Sequence, residues 1–355
     1  MKHESGPDIT NKLHYDTKKR FLTVLAVGSV ALLVIFVFSL TQGHYVMTFM
    51  EALDSLCGVI TSCFTGEEWD TGEMVIYHLR MPRSISVILV GMGLAAAGTA
   101  MQAMIRNPLV DPYITGVSSG ASFGVILVTL SGLFAFSALT IPVAAAIGAI
   151  AAFALTITMS EMVGGRAMAY VLSGTIIAAG LSAASTLVIT FNSADYQSIM
   201  YWLFGTFAYQ TWDNVYVMLC VLIPCFFVVI IAAKRLNMML LGDENAQYLG
   251  LNTRQFKRLM MTIIAIITAM SVAYCGVIGF IGLIVPHLTR MLVGGDHRVL
   301  FPASMLVGAI VLLVADIFCK SVGTAGELPI GAIVSVVGIP FFFALLIKEG
   351  KHYVM

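Results

Sequence analysis

Three ionisable residues that stand beside or within long apolar runs are the groups best placed to do chemistry. They are His287, Arg290 and Asp316. Ionisable groups in such surroundings usually face the interior of a protein and often have a function. Two interpretations stay open for them: a functional role such as gating, and a structural polar contact that holds a short helix in place.

The sequence contains no pattern that would give these residues a metal or a catalytic partner. No second His, Cys or carboxylate stands at ligand spacing from His287, so no metal site is predicted. The six cysteines include no C-x-x-C pair, and Cys57 and Cys63 either pair or stay as thiols. An enzyme with its site among apolar segments would need an HExxH or a Ser/His set, and neither is present.

Nucleotide-binding patterns are also missing. No G-x-x-x-x-G-K-[ST] stretch occurs, so the chain does not bind ATP through a P-loop. GMGLAA at 91–96 matches G-x-G-x-x-A, but it lies inside an apolar run and lacks a strand–turn–helix context. We therefore predict that this chain binds no cofactor.

The composition predicts an all-α polytopic membrane protein. Apolar residues make up 59% of the 355 residues and charged residues only 11%, well below the roughly 25% usual in soluble domains. The mean hydropathy is +0.94. Apolar runs of about 20 residues recur, each long enough to cross a hydrocarbon layer about 30 Å thick, and their continuity favours helices. The net charge is zero, so no field points to nucleic acid.

Nine apolar runs are plain, and the charge distribution favours a tenth, short crossing at 283–293. Lys and Arg collect on the cytoplasmic side of membrane proteins. Ten crossings leave only Arg80, Arg83 and Lys320 of the 19 basic residues outside, whereas nine would leave six outside. Polar backbone at membrane depth needs burial in protein, so other helices should cover the short crossing. The plain runs are 21–41, 84–105, 113–133, 135–160, 167–191, 214–233, 259–285, 299–319 and 328–347.

This topology predicts a ten-helix domain, residues 21–348, between two cytoplasmic tails, residues 1–20 and 349–355. The first run is longer than a signal-peptide core and no A-x-A-like site follows it, so we expect an uncleaved span. The protein would be a multi-pass component of the cell (inner or plasma) membrane with both termini in the cytoplasm.

Small residues are concentrated in three of the apolar runs, at 91–100, 143–152 and 173–185. Small side chains let helix backbones approach closely inside a membrane. The pattern therefore predicts a compact bundle.

A polar island interrupts the apolar sequence at residues 241–258, within the longest predicted cytoplasmic loop, 234–258. Asp243 has the residue type of an N-cap, and Glu244 would stand near the positive end of a short helix. Gly242 breaks the chain before that helix. Gly250 has the residue type that is favoured just after the C-terminus of a helix.

A second short helix is predicted after Gly250, because Asn252 and Gln255 form a capping-box pattern. Ala246 and Leu249 would share one face of the first helix, which gives the loop a partly apolar surface. Two interpretations remain open: a hairpin that only joins two spans, and a docking element for a soluble partner.

The stretch RNPLVDP, at the predicted inner end of the second span, contains Asn107, Pro108, Asp111 and Pro112. Prolines restrict the backbone and disfavour helix at the residues before them. A structural corner is the favoured interpretation, and a gating contact is the alternative.

Several long stretches, in one order along nearly the whole chain, resemble the permease subunits of ABC importers for iron–siderophore complexes, haem and vitamin B12. Small departures such as Val110 and Thr115 bear on substrate fit. The stretches are RMPRSISVILVGMGLAAAGTAMQAMIRNPLVDPYITGVSSGAS (80–122), YWLFGTFAYQTW (201–212), LGDENAQYLGLNTRQFKR (241–258), GFIGLIVPHLTR (279–290), DHRVLFP (296–302) and ELPIGAIVSVVGIP (327–340).

The resemblance implies ten transmembrane helices per subunit and a second permease subunit, in a homodimer or close heterodimer. It also implies two copies of an ABC ATPase that uses ATP-Mg, and an extracytoplasmic binding protein. The polar island would then be two coupling helices, between the sixth and seventh membrane helices, that dock on the ATPase. The residues it assigns to coupling are Gly242, Asp243, Glu244, Ala246, Leu249, Gly250 and Arg254.

The resemblance assigns the three outside cations, Arg80, Arg83 and Lys320, to docking of acidic residues on the binding protein. Snorkelling at helix ends is the alternative. The leading function is import of an iron chelate, a siderophore or haem. Cobalamin import is the close alternative. An ion-coupled secondary transporter is a distant one, for which Asp316 is the lone intramembrane carboxylate.

Overall fold

The structure is a computed structural model, and every regular element in its described residues is helical. The Cys63 side chain is outside the part described, and the Cys57 thiol is free. The described residues are 6–43, 45, 47–66, 68–132, 139–191, 202–322 and 327–353.

Twelve α-helices with both ends described organise this part of the chain. A π-helical turn, Ile76–Arg80, lies within the third, and a 3₁₀ turn, Pro112–Thr115, precedes the fourth. The helices are α1 (Gly6–Thr41), α2 (Phe49–Thr65), α3 (Thr71–Ile105), α4 (Val117–Leu130), α5 (Thr140–Met162), α6 (Ala167–Phe191), α7 (Trp212–Leu240), α8 (Asp243–Tyr248), α9 (Thr253–Cys275), α10 (Ile281–Val293), α11 (His297–Val322) and α12 (Ile330–Tyr353).

Seven described helices are long and apolar enough to cross a membrane: α3, α5, α6, α7, α9, α11 and α1 from Lys19 onward. Three shorter apolar helices are α4, α10 and the Ile330–Ala344 part of α12. Each predicted apolar run therefore overlaps a helix, and the predicted short crossing, 283–293, lies within α10. The count of ten crossings stays a prediction.

Some boundaries differ from those predicted. Residues 6–20, predicted as a tail, belong to α1, and α12 continues past residue 348 to Tyr353. The run predicted at 259–285 is two helices, because Gly276 and Phe280 have left-handed backbones with φ of 71° and 68°. Sequence reasoning also missed α2, although its capping box, Thr48 with Glu51, was a readable signal.

Helix α3 is the centre of the bundle, because 83% of the residues in its most apolar 18-residue stretch are buried. Two of its glycines permit this. A Cβ at Gly91 would stand 2.4 Å from the Gly308 carbonyl oxygen of α11, and one at Gly98 only 1.8 Å from that of Gly282 in α10. These backbones therefore touch without a side chain between them, as the small-residue stretch at 91–100 predicted.

The second small-residue stretch packs α5 against α4. A Cβ at Gly148 would lie 2.1 Å from the Gly120 carbonyl oxygen. In the third stretch, a Cβ at Gly174 of α6 would lie 2.1 Å from the Ile114 carbonyl oxygen, whereas a Cβ at Gly180 would have no neighbour within 4 Å. Close packing is confirmed for the first two stretches and for the start of the third.

Hydrogen bonds show which helix ends lie together. Asn237, near the end of α7, donates to Asp296 at 2.7 Å and accepts from the His297 backbone N–H at 3.0 Å. Hydrogen bonds from Arg298 lower the pKa of Asp296 to about 2, so this carboxylate stays charged. These groups and the polar island define the island end of the bundle.

The opposite end is joined by different contacts. The Trp212 indole N–H donates to the Tyr77 carbonyl at 2.7 Å, which ties the start of α7 to the start of α3. Ser321, at the end of α11, donates to the Gln42 side chain at 3.0 Å. The starts of α3 and α7 therefore lie with the ends of α1 and α11.

Replacing Gly98 by Ala should unfold or loosen the bundle, because the new methyl group would overlap the Gly282 carbonyl oxygen. Overpacking of this kind costs about 3 kcal/mol. The purified Gly98→Ala chain should show a clearly lower thermal unfolding midpoint in detergent. Gly180→Ala is the matched control, since it adds the same methyl group to a helix where there is open space. Equal midpoints for the two variants would contradict this account of the core.

Candidate functional site

The polar island folds as the short helix α8 followed by the first turns of α9. Gly242, with φ 99°, is the N-cap of α8, so Asp243 lies in the first helical turn and is not the cap. The predicted stop is confirmed. Gly250 has φ 86°, its N–H donates to the Gln247 carbonyl at 2.8 Å, and the Leu251 N–H donates to the Ala246 carbonyl at 3.0 Å. This is the Schellman pattern, which favours glycine.

The second predicted helix is not a separate short element. Asn252 does cap a helix, since its side chain accepts from the Gln255 N–H at 3.1 Å. That helix is α9, which continues without a break to Cys275. The second part of the island is therefore continuous with a long apolar helix.

The two residues predicted to share an apolar face are separated. Ala246 is fully buried, whereas Leu249 is 58% exposed because it follows the last helical residue and leaves the helical path. Tyr248, beside it, is 88% exposed. The island thus presents an aromatic and an aliphatic side chain together, with Glu244 exposed on the same short helix.

Ion pairs hold the island on the bundle. Lys257 of α9, whose side chain is buried, pairs with Asp243 of α8. Glu161, at the end of α5, accepts from Arg254 at 2.5 Å and lies 3.2 Å from Arg258, and the Tyr170 hydroxyl of α6 donates to it at 2.9 Å. Four helices, α5, α6, α8 and α9, are therefore joined through carboxylates.

Sequence reasoning missed Glu161. It is an isolated acid between an apolar run and two glycines, and no local pattern connects it with Arg254, 93 residues later. Its position at the end of a predicted span, on the same side as the island, was the available signal.

The RNPLVDP turn is built from local hydrogen bonds. The Asn107 side chain accepts from the Leu109 N–H at 2.9 Å, and the Asp111 side chain accepts from the Tyr113 N–H at 2.8 Å. Pro112 is buried and opens the 3₁₀ turn. These contacts are those of a structural corner. Pro108 has ordinary loop surroundings, and a gating role stays a prediction.

Arg290 and His287 lie on α10, apart from Asp316. Arg290 donates to the Gln102 side-chain oxygen at 3.2 Å, and the Gln102 amide donates to the Leu283 carbonyl at 3.2 Å. Gln102 of α3 therefore binds the short helix α10 through both its side-chain oxygen and its amide N–H group. Sequence reasoning did not single it out. His287 is buried. Among the described residues, no group of three metal-ligating side chains comes together.

Asp316 lies at the opposite end, in a four-charge cluster made with Arg83, Lys320 and Glu327. Arg83 contacts Asp316 at 2.8 Å and Glu327 at 2.6 Å, and Lys320 contacts Asp316 at 2.8 Å. The side chains of Asp316 and Lys320 are 1% and 4% exposed, while that of Glu327 is 24% exposed. The cluster ties α3, α11 and the segment before α12 together.

The three cations predicted outside therefore lie at one end, but not as free surface charges. Arg83 and Lys320 are neutralised inside the four-charge cluster. Arg80, at the end of the π-helical turn, is buried and donates to the Leu40 and Tyr45 carbonyls. Each of the three cations has an acceptor or an acidic partner within the chain. Their role in docking stays a prediction.

The helices, the close-packed centre and the two polar ends are those of a multi-pass helical membrane protein. The chain belongs to the FecCD transport family, whose family model matches residues 31–348. The resemblance read from the sequence is thereby confirmed.

Named relatives agree with this membership. The chain is 38% identical to the hemin transport system permease protein of Yersinia pestis over 78% of this chain and 84% of the relative. It is 34% identical to the vitamin B12 import system permease protein of Salmonella paratyphi A over 83% of this chain and 93% of the relative. A solved inward-facing metal-chelate type ABC transporter matches with a TM-score of 0.80 and 31% identity, over 92% and 99% of the two chains.

Replacing Asp316 by Asn should destabilise the protein more than any other single change in the four-charge cluster. It removes the partner of two buried cations, and an uncompensated buried charge costs about 3–5 kcal/mol. Glu327→Gln, at a partly exposed position, is the matched control and should cost much less. Thermal unfolding of the purified chain in detergent measures both.

A second substitution checks the cause. Asp316→Asn combined with Lys320→Met should recover part of the lost stability, because the unpaired ammonium is gone. A double variant no more stable than Asp316→Asn alone would contradict the assignment of the loss to buried charge.

Proposed function

We propose that this chain is the transmembrane permease subunit of an ABC importer that moves a metal chelate into the cytoplasm by alternating access. The observation that carries the proposal is the polar island. A short helix exposing Tyr248 and Leu249 is held by ion pairs at one end of an apolar bundle, in a chain without a P-loop. A docking surface for a separate ATPase explains this combination.

The proposed topology has ten crossings with the island end in the cytoplasm. Two contacts support this order: Asn237 of α7 bonds to Asp296 at the island end, and Arg83 of α3 bonds to Asp316 at the opposite end. Among the described residues, Arg106, Arg166, Lys234 and Arg298 lie near or within the island end, and Arg80, Arg83 and Lys320 lie at the other. Basic residues favour the cytoplasmic side. Both termini would then be cytoplasmic, in a cell membrane.

Coupling would pass through the carboxylate contacts of the island. Closure of two ATPase subunits on ATP-Mg would press on α8, and the Lys257–Asp243 pair would carry the movement to α9. Glu161 would carry it to α5 and α6 through Arg254 and Tyr170. Such coupling requires that ATP and substrate discriminate between the same two states of the bundle.

The other partners follow from the same proposal. A second permease subunit, most simply a copy of this chain, would complete the pathway, and an extracytoplasmic binding protein would deliver the substrate to the opposite end. Because Arg83 is already paired with Glu327, docking of an acidic residue there would require Glu327 to release it. Glu327 is the more exposed acid of the cluster, so it is the one free to exchange.

The proposed substrate is an iron chelate, either a siderophore or haem. Cobalamin is the alternative, since relatives named for hemin and for vitamin B12 match at similar identity. An ion-coupled secondary transporter is less well supported. Its one intramembrane carboxylate, Asp316, is paired with both Arg83 and Lys320, so it is not available to carry an ion.

Uptake measurements test the function. A strain lacking this chain and the complemented strain would be offered labelled ferric siderophore, haem and cobalamin, with and without cellular ATP. We expect ATP-dependent uptake of an iron chelate to be lost and restored. Restoration of cobalamin uptake alone would select the alternative substrate, and no change with any of the three would contradict the proposal.

Replacing Gly250 by Val should uncouple the importer. Gly250 has no neighbour within 4 Å of a new Cβ, but its φ of 86° strains any β-branched residue. The turn would open, and substrate-stimulated uptake should fall at least about tenfold while the protein still accumulates in the membrane. Gly295→Val is the matched control, because it adds the same side chain in open space at the island end without a left-handed φ. Full uptake by Gly250→Val would contradict the coupling role.

A further inference from the structure

A cavity of 360 Å³ opens between α4 and α6, part-way between the two ends of the bundle. Four apolar residues, Ile126, Ile189, Leu203 and Val277, form part of its lining. Neither the coupling island nor the four-charge cluster contributes to it. Six of its ten lining side chains are hydroxyls: Ser118, Ser119 and Ser122 from α4, and Ser182, Ser185 and Thr186 from α6.

Thr186 donates to the Ser182 carbonyl of its own helix at 3.0 Å, but the serine hydroxyls of this cavity form few bonds in the described part of the chain. One contact crosses between the helices, from the Ser182 hydroxyl to the Ser119 hydroxyl, and it is long at 3.5 Å. The Ser185 oxygen is buried and has no hydrogen-bond partner in the described part of the chain. A buried polar atom without a partner calls for an explanation, and a ligand that passes through the cavity supplies one.

The lining also limits which functional groups that ligand can present. None of the ten lining residues is charged or aromatic. Carboxylates are normally recognised by Arg or Lys in charge-assisted pairs, and the lining offers neither. Hydroxyls both donate and accept without charge, so they suit neutral groups such as amides and hydroxamates.

We propose that this cavity is a hydrogen-bonding station on the substrate pathway, and that the substrate is a chelate rimmed by neutral amide or hydroxamate groups. This inference rests on the proposed function and narrows its substrate class. Two sources share the chemistry, a ferric hydroxamate siderophore and amide-rimmed cobalamin, and the carboxylate-bearing haem does not. Several uncharged bonds hold a ligand only weakly, which suits a station that must also release it.

The test removes the hydroxyls and measures uptake. The variant carries Ser119→Ala, Ser182→Ala and Ser185→Ala in the deletion strain, offered a ferric trihydroxamate, cobalamin and haem at saturating concentration. The matched control carries Thr158→Val, Thr175→Val and Thr190→Val, three exposed hydroxyls outside the cavity that each bond to a carbonyl of their own helix. Membrane accumulation of each variant is measured alongside.

We expect wild-type cells to take up the trihydroxamate or cobalamin in preference to haem. The triple serine variant should lower that maximal rate at least about fivefold, with little change in the half-saturating concentration, which the binding protein sets. The threonine control should keep the wild-type rate. If the triple variant does not accumulate, Ser182→Ala alone serves, since Ser182 is exposed, and it should lower the rate about twofold.

Three results would overturn the inference, and they differ in what else they remove. A wild-type rate in a serine variant, or wild-type uptake of haem alone, would overturn the station and leave the importer function standing. Absence of ATP-dependent uptake of all three chelates by wild-type cells would overturn the importer function and the station together.

Discussion

The bundle depends on backbone contact around α3. Gly91 and Gly98 leave no space for a Cβ against Gly308 and Gly282, so α10 and α11 lie directly on α3. Apolar side chains give little driving force between helices in lipid, whose tails are as apolar as leucine. The helices associate instead through close backbone approach and the dispersion contacts that it allows. The short helix α10 can form at this position because the protein buries much of it, including Ile281, Val285 and Pro286.

The two ends of the bundle use charge in different ways. At the island end, carboxylates join separate helices, and the Arg254 and Arg258 side chains that contact Glu161 are exposed. At the opposite end, Asp316 and Lys320 of α11 are almost fully buried, and the pair that Arg83 makes with Asp316 joins α3 to α11. Burying an ion pair does not by itself stabilise a protein, but removing one member leaves the other as an unpaired charge in the protein interior. The same chemistry thus uses a partly exposed carboxylate, Glu161, at one end and an almost fully buried one, Asp316, at the other.

The sequence predicted most of the fold and less of the sites, for physical reasons. Apolar runs and basic flanks are local properties, so the spans, the small-residue contacts and the glycine stop at Gly250 were readable. Whether a cation is exposed depends on acceptors distant in the chain, so the internal partners of Arg80 and Arg83 could not be foreseen. Glu161 and Gln102 were missed for the same reason. The helix after Asn252 was misjudged because a cap marks where a helix begins and says nothing about where it ends.

The four-charge cluster also bears on the electrical behaviour of the membrane protein. Its two cations and two anions sum to zero, and they lie within contact distance of one another. A charge that crosses a membrane potential gains or loses about 2.3 kcal/mol per 100 mV, but a group with no net charge that moves as one unit does not. A tilt of α3 and α11 that moved these four groups as one unit would therefore carry no gating charge from this cluster.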